Sequence, residues 1–497
     1  MALPYFLRNF IPKKEKTVGQ KPLIRALLDL TWIQWAFIFS GWLAWTCDAM
    51  DFFSVSLAIP VLSKAAPVGF GRDTATLSNA ITLTLLFRSV GAVIFGIISD
   101  RYGRKWPLVS NLLLCCVLQI GSSFCNTYRQ FLGVRSLFGI AMGGIWGLAI
   151  ATALENVPVE TRGFLSGVLQ EGYAVGYLLA AVVNLTVVQH SVHTWRTLFW
   201  VAAGLTFFAA CVRAVLPESA IFLRAKEDRR IKRAKSVDTA SKTRIFFRET
   251  KTMLKEHWIL CIYAVLLMTG FNFLSHGSQD LYPTYIEDDK LLSSSLATKA
   301  TIIGNCGAVA GGAIAGFLSQ YLGRRLTIIV FCCLIGAFIP LWILPTKFPG
   351  LAAGAFFIQI GVQGAWGVIP IFLNELSPPA FRATFPGVAY QVGNMVSSSS
   401  ARIEAVGAEN LHTVVDGKIV PDYAKVQGIL IGVVTAFVVI VILLGPENHS
   451  SHFEKHRVAF EEGAGRDDAY VDEDPSTPET PSVHSTDEKE KTDHDQV

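Results

Sequence analysis

The stretch Gly96-Ile-Ile-Ser-Asp100-Arg101-Tyr-Gly103-Arg104-Lys105 returns, with substitutions, as Gly316-Phe-Leu-Ser-Gln320-Tyr321-Leu-Gly323-Arg324-Arg325. A second pair, Glu155-x-x-Pro158-x-x-x-Arg162 and Glu375-x-x-Pro378-x-x-x-Arg382, repeats at the same shift of 220 residues. Two unrelated motifs sharing one shift mark an internal duplication, and a duplicated chain of this kind folds as two like halves. The expected organisation is an N-terminal bundle over 32–216 and a C-terminal bundle over 258–445, joined by a segment over 217–257.

Outward from the motifs the chain is apolar. Of its 497 residues, 51% are hydrophobic and 16% charged, and the mean hydropathy is +0.42. Soluble domains are far more polar. From Thr31 to Leu444 apolar runs of about 20 residues recur between short polar breaks, each long enough to cross a hydrocarbon core of ~30 Å as a helix. Twelve such runs are present. The ten-residue alternation of a membrane barrel is not, so the fold class is all-α and polytopic, with twelve spans in two six-helix bundles. Residues 1–31 hold no apolar core and no small-residue cleavage site, so no removable signal peptide is expected. The nine cysteines are scattered, mostly in apolar runs, and imply neither disulfides nor a metal site.

Charge orients the spans. Arg8, Lys13, Lys14, Lys16, Lys21 and Arg25 precede the first, and twelve Lys and Arg crowd 217–257. The bias of basic loops places both segments in the cytosol, and with them Arg101, Arg104, Lys105, Arg162, Arg324, Arg325 and Arg382. The net charge of +4 sums these loops with an acidic tail over 446–497, rich in Pro, Ser and Thr, which reads as a disordered cytosolic extension. Its serines, threonines and lysines are candidate sites for trafficking or ubiquitin machinery. The composition calls for lipid and small solutes as partners, not nucleic acid.

The paired motifs resemble the signature of the major facilitator superfamily, Gly-x-x-x-Asp-Arg-x-Gly-Arg-Arg/Lys, over roughly residues 30–445. Positions 96–105 fit it fully, and Pro217-Glu218-Ser219 also matches a family pattern. The resemblance implies conformational gating by Gly96, Asp100, Arg101, Gly103, Arg104, Glu155, Arg162, Glu375 and Arg382. In the second copy Gln320 and Tyr321 replace the acid and the base, so a weaker charge latch is expected in the C-terminal half.

Ionisable groups inside the spans each demand a reason, since burying one at the bilayer centre costs about 2.5–3.5 kcal/mol. Arg88 lies eight residues before Gly96, about 12 Å from the end of the second span. Its planar fork suits the carboxylate of an organic anion; an ion pair with Asp48 or Asp51 is the structural alternative. The seventh span carries Asn272, Ser275, His276, Ser278, Gln279, Asp280 and Thr284 in an otherwise apolar run. Five of these, Asn272, Ser275, His276, Gln279 and Asp280, fall within about 140° of helical arc, a polar face that cannot point at lipid. Histidine and aspartate one turn apart suit proton coupling, and either could carry the proton. Gln391 and Asn394 share one side of the eleventh span, as substrate ligands or as helix-to-helix glue. Asp48, Asp51, Arg135 and Glu171 are further candidates for proton coupling, explained equally by structural charge pairing. Gly139, Gly143, Gly307, Gly311 and Gly312 fit close helix packing. The sequon at Asn184 is unassigned.

The string Asn272-x-x-Ser275-His276-x-Ser278-Gln279-Asp280-x-x-x-Thr284 resembles the signature of the fungal Jen family of proton-coupled carboxylate carriers. That resemblance implies import of lactate, pyruvate and related short acids such as acetate or propionate across the plasma membrane, with both termini cytosolic. Some members of that family prefer dicarboxylates such as succinate or malate. It further implies that Asn272, His276 and Asp280 line the substrate and proton path, that Gln391 and Asn394 add hydrogen bonds, that Arg88 is the expected basic residue, and that Arg135 modulates a nearby acid. No cofactor is expected beyond the proton gradient. The rival readings are a sugar or phosphate facilitator and a carboxylate sensor signalling through its tail. An enzyme is disfavoured, because no nucleophile with a base, metal-spaced cluster or nucleotide loop is found.

Overall fold

The computed structural model of the chain describes residues 22–65, 68–218, 223, 239–378, 381, 384–415, 417–447 and 466. Arg382, the side chain of Asp100, residues 1–21 and almost all of the acidic tail lie outside the described part. Among the described residues eleven helical segments are each long and apolar enough to cross a membrane. Span 1 is Trp32–Leu62, span 2 Asn79–Tyr102, span 3 Lys105–Ser123, and span 4 the pair Tyr128–Met142 and Ile145–Leu154. Span 5 is Val159–Thr186 and span 6 Trp195–Val215. A basic helix, Thr239–Glu256, then leads into span 7, Trp258–Gln279. Spans 8, 9 and 10 are Ser294–Leu322, Arg324–Ile343 and Phe348–Leu376. The remaining crossing is split. Thr384–Ser397 and Ser400–Asn410 together make span 11, and a two-stranded hairpin, His412–Val415 with Lys418–Pro421, connects it to span 12, Tyr423–Leu444.

Local chemistry explains where these helices start, stop and break. Spans 1 and 4 open on matching capping boxes: Thr31 and Thr127 each accept from a glutamine N–H three residues on, and that glutamine's side chain reaches back to the cap N–H. Gly103 and Gly323 end spans 2 and 8 at φ 106° and 84°, a conformation that excludes a Cβ, which is why both copies of the motif carry glycine there. Span 11 breaks in the run Ser397–Ser400. The Ser397 and Ser398 hydroxyls donate back to the Asn394 and Met395 carbonyls, competing with the helical ladder. The Ser398 carbonyl accepts instead from the Thr82 hydroxyl of the other half, at 3.1 Å, so no polar group is stranded.

The halves repeat in packing as well as in sequence. Span 2 meets span 4 where Gly91, Gly139 and Gly143 lie against the Ile140, Thr84 and Arg88 carbonyls; span 8 meets span 10 where Gly307 and Gly311 lie against the Phe356 and Ile360 carbonyls. A side chain at any of these positions would force the backbones apart. The outward faces present Val117, Phe207, Phe208, Val433 and Ile440 to the surroundings, as a lipid-facing surface requires.

At the motif-bearing face the halves meet over glycine. Gly163 lies against Gln320 and Arg324, Gly167 against Gly312 and Gly316, and the Ser166 hydroxyl donates to the Gly367 carbonyl at 2.9 Å. Toward the far face, Tyr177 donates to the Gln279 carbonyl at 3.3 Å, and Arg402 reaches Asn79 at 3.4 Å. The centre is therefore sealed on both sides, an occluded arrangement.

The expectation of a weaker C-terminal latch turns on Asp100, whose side chain lies outside the described part, but the arginine–glutamate pairs beside the two motifs can be compared directly. Arg324 donates to both oxygens of Glu375 at 3.0 Å, with both side chains buried, whereas Arg104 reaches Glu155 through a single described bond of 3.3 Å. Replacing the motif acid with Gln320 does not loosen the pair, because the partner of Arg324 is Glu375 and not the residue at position 320. Gln320 itself donates to the Glu160 carbonyl across the interface.

Candidate functional site

Arg88 is buried at the seam between the halves. Its Nη2 donates to Asp48 Oδ2 of span 1 at 2.6 Å, while its Nε and Asp48 Oδ1 are buried without hydrogen-bond partners among the described residues. The guanidinium carbon sits 6.0 Å from the centre of the Phe52 ring and 5.9 Å from that of Tyr390 on span 11. Both distances fall within cation–π range. The ion pair foreseen as the structural alternative is thus present, yet the side chain still faces the opposite half. Tyr390 is fixed by its neighbours: it stacks on Trp146 at 4.4 Å and meets Trp45 and Trp366 at 6.1 and 5.7 Å.

Phe52 neighbours both polar groups of the centre, since its ring also lies 5.8 Å from that of His276. His276 Nδ1 approaches Asp280 Oδ2 at 3.0 Å, and its Nε2 approaches Asn394 Oδ1 at 3.1 Å. Asn394 donates through Nδ2 to Gln391 Oε1 at 2.8 Å. That chain dictates proton positions. With the Asn394 oxygen turned toward the ring, Nε2 must carry hydrogen, and a second proton must then lie between Nδ1 and the carboxylate. The pair is either an imidazolium on a carboxylate or a neutral imidazole accepting from a carboxyl group. If that proton is lost, the ring can satisfy Asp280 only through Nδ1–H, which leaves a lone pair facing the Asn394 oxygen. Rotating both amides relieves the clash, and Gln391 Nε2, buried and unpartnered among the described residues, is positioned to complete the reversed chain.

The remaining predicted residues divide by location. Asn272 joins the centre by donating to the Tyr390 carbonyl at 3.2 Å. Ser275 and Gln279 point toward span 10: Ser275 donates to Gln279, whose Nε2 donates to Gln359 Oε1 at 2.7 Å. Asp51 and Arg135 form a separate buried group inside the N-terminal half, where Thr206 donates to Asp51 at 2.9 Å and Arg135 donates to Gln119 at 2.8 Å over the Phe138 ring. Glu171 lies apart, against Gly312 of span 8, with Oε1 buried and unpartnered among the described residues. Arg101 lies over the Tyr102 ring, and Arg162 donates to the Val157 carbonyl, both at the motif-bearing face.

Sequence reasoning missed several groups. Phe52, Tyr390 and Gln359 carry no charge and stand in apolar runs, so their place at the centre emerges only from packing. Glu404, fully buried on the outer piece of span 11, stands among Ser400, Arg402, Glu409 and Asn410, so the sequence does not set it apart from the polar end of a span. Among the described residues no group of histidines, cysteines and acids is spaced to hold a metal ion.

Twelve spans in two matching halves, closed around a buried polar centre that both halves build, define a membrane carrier of the major facilitator type. The chain belongs to the sugar (and other) transporter family, whose model matches residues 3–455. It is 35% identical over 435 residues to the carboxylic acid transporter protein homolog of Saccharomyces cerevisiae, covering 85% of this chain and 70% of that one. It is 26% identical over 366 residues to the cis,cis-muconate transport protein of Acinetobacter baylyi, covering 72% and 84% respectively. Among solved structures, the proton:xylose symporter XylE bound to 6-bromo-6-deoxy-D-glucose aligns with a TM-score of 0.66 at 16% identity, covering 85% of this chain and 98% of that one. This last likeness shows the fold alone.

Proposed function

We propose that the chain imports short monocarboxylates such as lactate and pyruvate together with a proton across the plasma membrane, by rocking of the two halves around the occluded centre. The observation that carries this reading is the Arg88 guanidinium at the seam, one edge held by Asp48 and Nε free, with Phe52 in contact range of both it and the His276–Asp280 pair. In the absence of substrate Asp48 serves as counter-ion. A substrate carboxylate takes the free edge or displaces Asp48, and the charge-assisted bond it gains balances its desolvation. Asn272, Gln391 and Asn394 are near enough to read its remaining oxygens and α-substituent.

Coupling follows from charge. An inward-negative potential opposes anion entry by about 2.3 kcal/mol per 100 mV, and one co-transported proton removes that opposition. The arrangement of His276, Asp280 and Asn394 is that of a proton-loaded pair, which supports loading from outside before closure. The basic loops support cytosolic termini, with the motif-bearing face inside. The similarity to a yeast carboxylic acid transporter homolog and to a bacterial muconate transport protein supports a carboxylate over a sugar.

The test is uptake of labelled lactate against labelled succinate in cells lacking their own carriers, wild type beside Arg88→Ala. Lactate uptake should rise as external pH falls, collapse with a protonophore, and fall at least about a hundredfold in the variant at equal surface abundance, given the worth of a buried charged hydrogen bond. Uptake indifferent to pH and protonophore would remove symport from the reading. Preference for succinate would reassign the substrate to dicarboxylates, and tail-dependent signalling without uptake would favour a sensor.

A further inference from the structure

Glu404 is a second buried acid beside the proton pair. It sits one turn beyond Ser400 on the outer piece of span 11, fully buried, and its bonds come from neutral donors: Ser400 Oγ to Oε1 at 3.3 Å and Gln427 Nε2 of span 12 to Oε2 at 2.9 Å. Among the described residues no cation pairs with it. An acid this deep without a cation stays only if it is protonated or if its charge has a use.

Its position relative to span 7 gives it one. A Cβ built on Gly277 would lie 3.6 Å from Ser400 Oγ, so the two helices are level at Ser400 and at the residue following His276. Both run in the same direction. One turn further toward the far face, span 7 carries Asp280 and span 11 carries Glu404, both buried. Asp280 uses Oδ2 for His276, while its Oδ1 is buried without a partner among the described residues. The other charged or titratable groups on elements packed against this helix are His276 on span 7, Asp73 ahead of the short helix Thr74–Leu77, and Lys418 on the hairpin. The start of span 12 adds Asp422, Tyr423 and Lys425, and Arg402 and Glu409 share the helix itself.

We infer that Glu404 is an outer proton station, receiving a proton from the far face and passing it to the His276–Asp280 pair as the carrier loads. Two carboxyl groups at one level in a low-dielectric interior are costly to ionise together, which gives a proton a reason to pass from one to the other. Transfer moves one proton from the Glu404 carboxyl to the Asp280 carboxylate, leaves Glu404 ionised, and reloads it from outside. This inference rests on the proton-coupled reading above, with the far face outside.

The test uses the full chain in proteoliposomes, with two assays of labelled lactate: uptake driven by an imposed pH gradient, and counterflow at equal pH, which needs no net proton delivery. Glu404→Gln keeps the shape and one acceptor oxygen for Gln427 Nε2, and the Ser400 hydroxyl can turn to accept from the new amide. It should reduce gradient-driven uptake roughly tenfold or more while leaving counterflow within about twofold, and Glu404→Asp should restore the gradient response with a displaced pH profile. If wild-type uptake ignores the gradient, the symport reading fails and this inference with it. If wild type responds and Glu404→Gln responds equally with the same pH profile, only this inference fails. Loss of both assays in Glu404→Gln, unrestored in Glu404→Asp, would reduce Glu404 to a structural role and likewise overturn it.

Discussion

The two halves run the same latch in different surroundings. Arg104 and Glu155 meet at 3.3 Å with 13% and 12% of their side chains exposed, whereas Arg324 and Glu375 meet through two bonds with 1% and 2% exposed. Each arginine also donates to a serine five residues before it, Ser99 and Ser319. Each half adds a further carboxylate that caps the next helix: Glu218 accepts from the Arg104 and Lys105 amides, and Glu447 from those of Arg324 and Arg325. The lesson is that burial, not fidelity to the motif, sets how tightly a latch holds, since the copy that departs from the signature makes the closer pair. The asymmetry gives the two copies of one motif different local strength at the same face of the molecule.

The largest effect that would break the comparison is removal of a buried partner. Glu375→Ala leaves Arg324 uncompensated and should destabilise the chain by about 3–5 kcal/mol, whereas Glu155→Ala should cost about 1 kcal/mol or less. Equilibrium unfolding in mixed micelles measures both, and equal losses would show the halves to be energetically alike. Next come the caps. Glu447→Ala should cost about 1–2 kcal/mol and Glu218→Ala less, read in the same unfolding experiment. Smallest are the serines: Ser319→Ala should cost about 1 kcal/mol and Ser99→Ala about half of that, since only the former leaves a fully buried arginine donor unmet. A reversed order at this last step would place the asymmetry in the glutamates alone.

Much of this architecture was legible in the sequence, for identifiable reasons. The shift of 220 residues shared by two motifs exposed the halves, and apolar runs of bilayer length exposed the spans. The third repeated element, Pro217-Glu218 with Pro446-Glu447, escaped because its members lie 229 residues apart, the hairpin connection before span 12 having lengthened the second copy. At the centre, charge and amide chemistry made Arg88, His276, Asp280, Gln391 and Asn394 visible one at a time. Their grouping was not. That Asp48 and not Asp51 meets Arg88 depends on how spans 1 and 2 face each other, and three residues of spacing cannot fix that. The aromatic surround of Phe52, Tyr390, Trp146 and Trp366 was invisible because such residues are unremarkable in an apolar run.

The serine interruption of span 11 sets how that helix can move. The segment bearing Tyr390, Gln391 and Asn394 and the segment bearing Glu404 are separate helical pieces, and an interruption of this kind is where a helix bends. A shape change at this point would re-aim the outer piece without having to carry the inner one along.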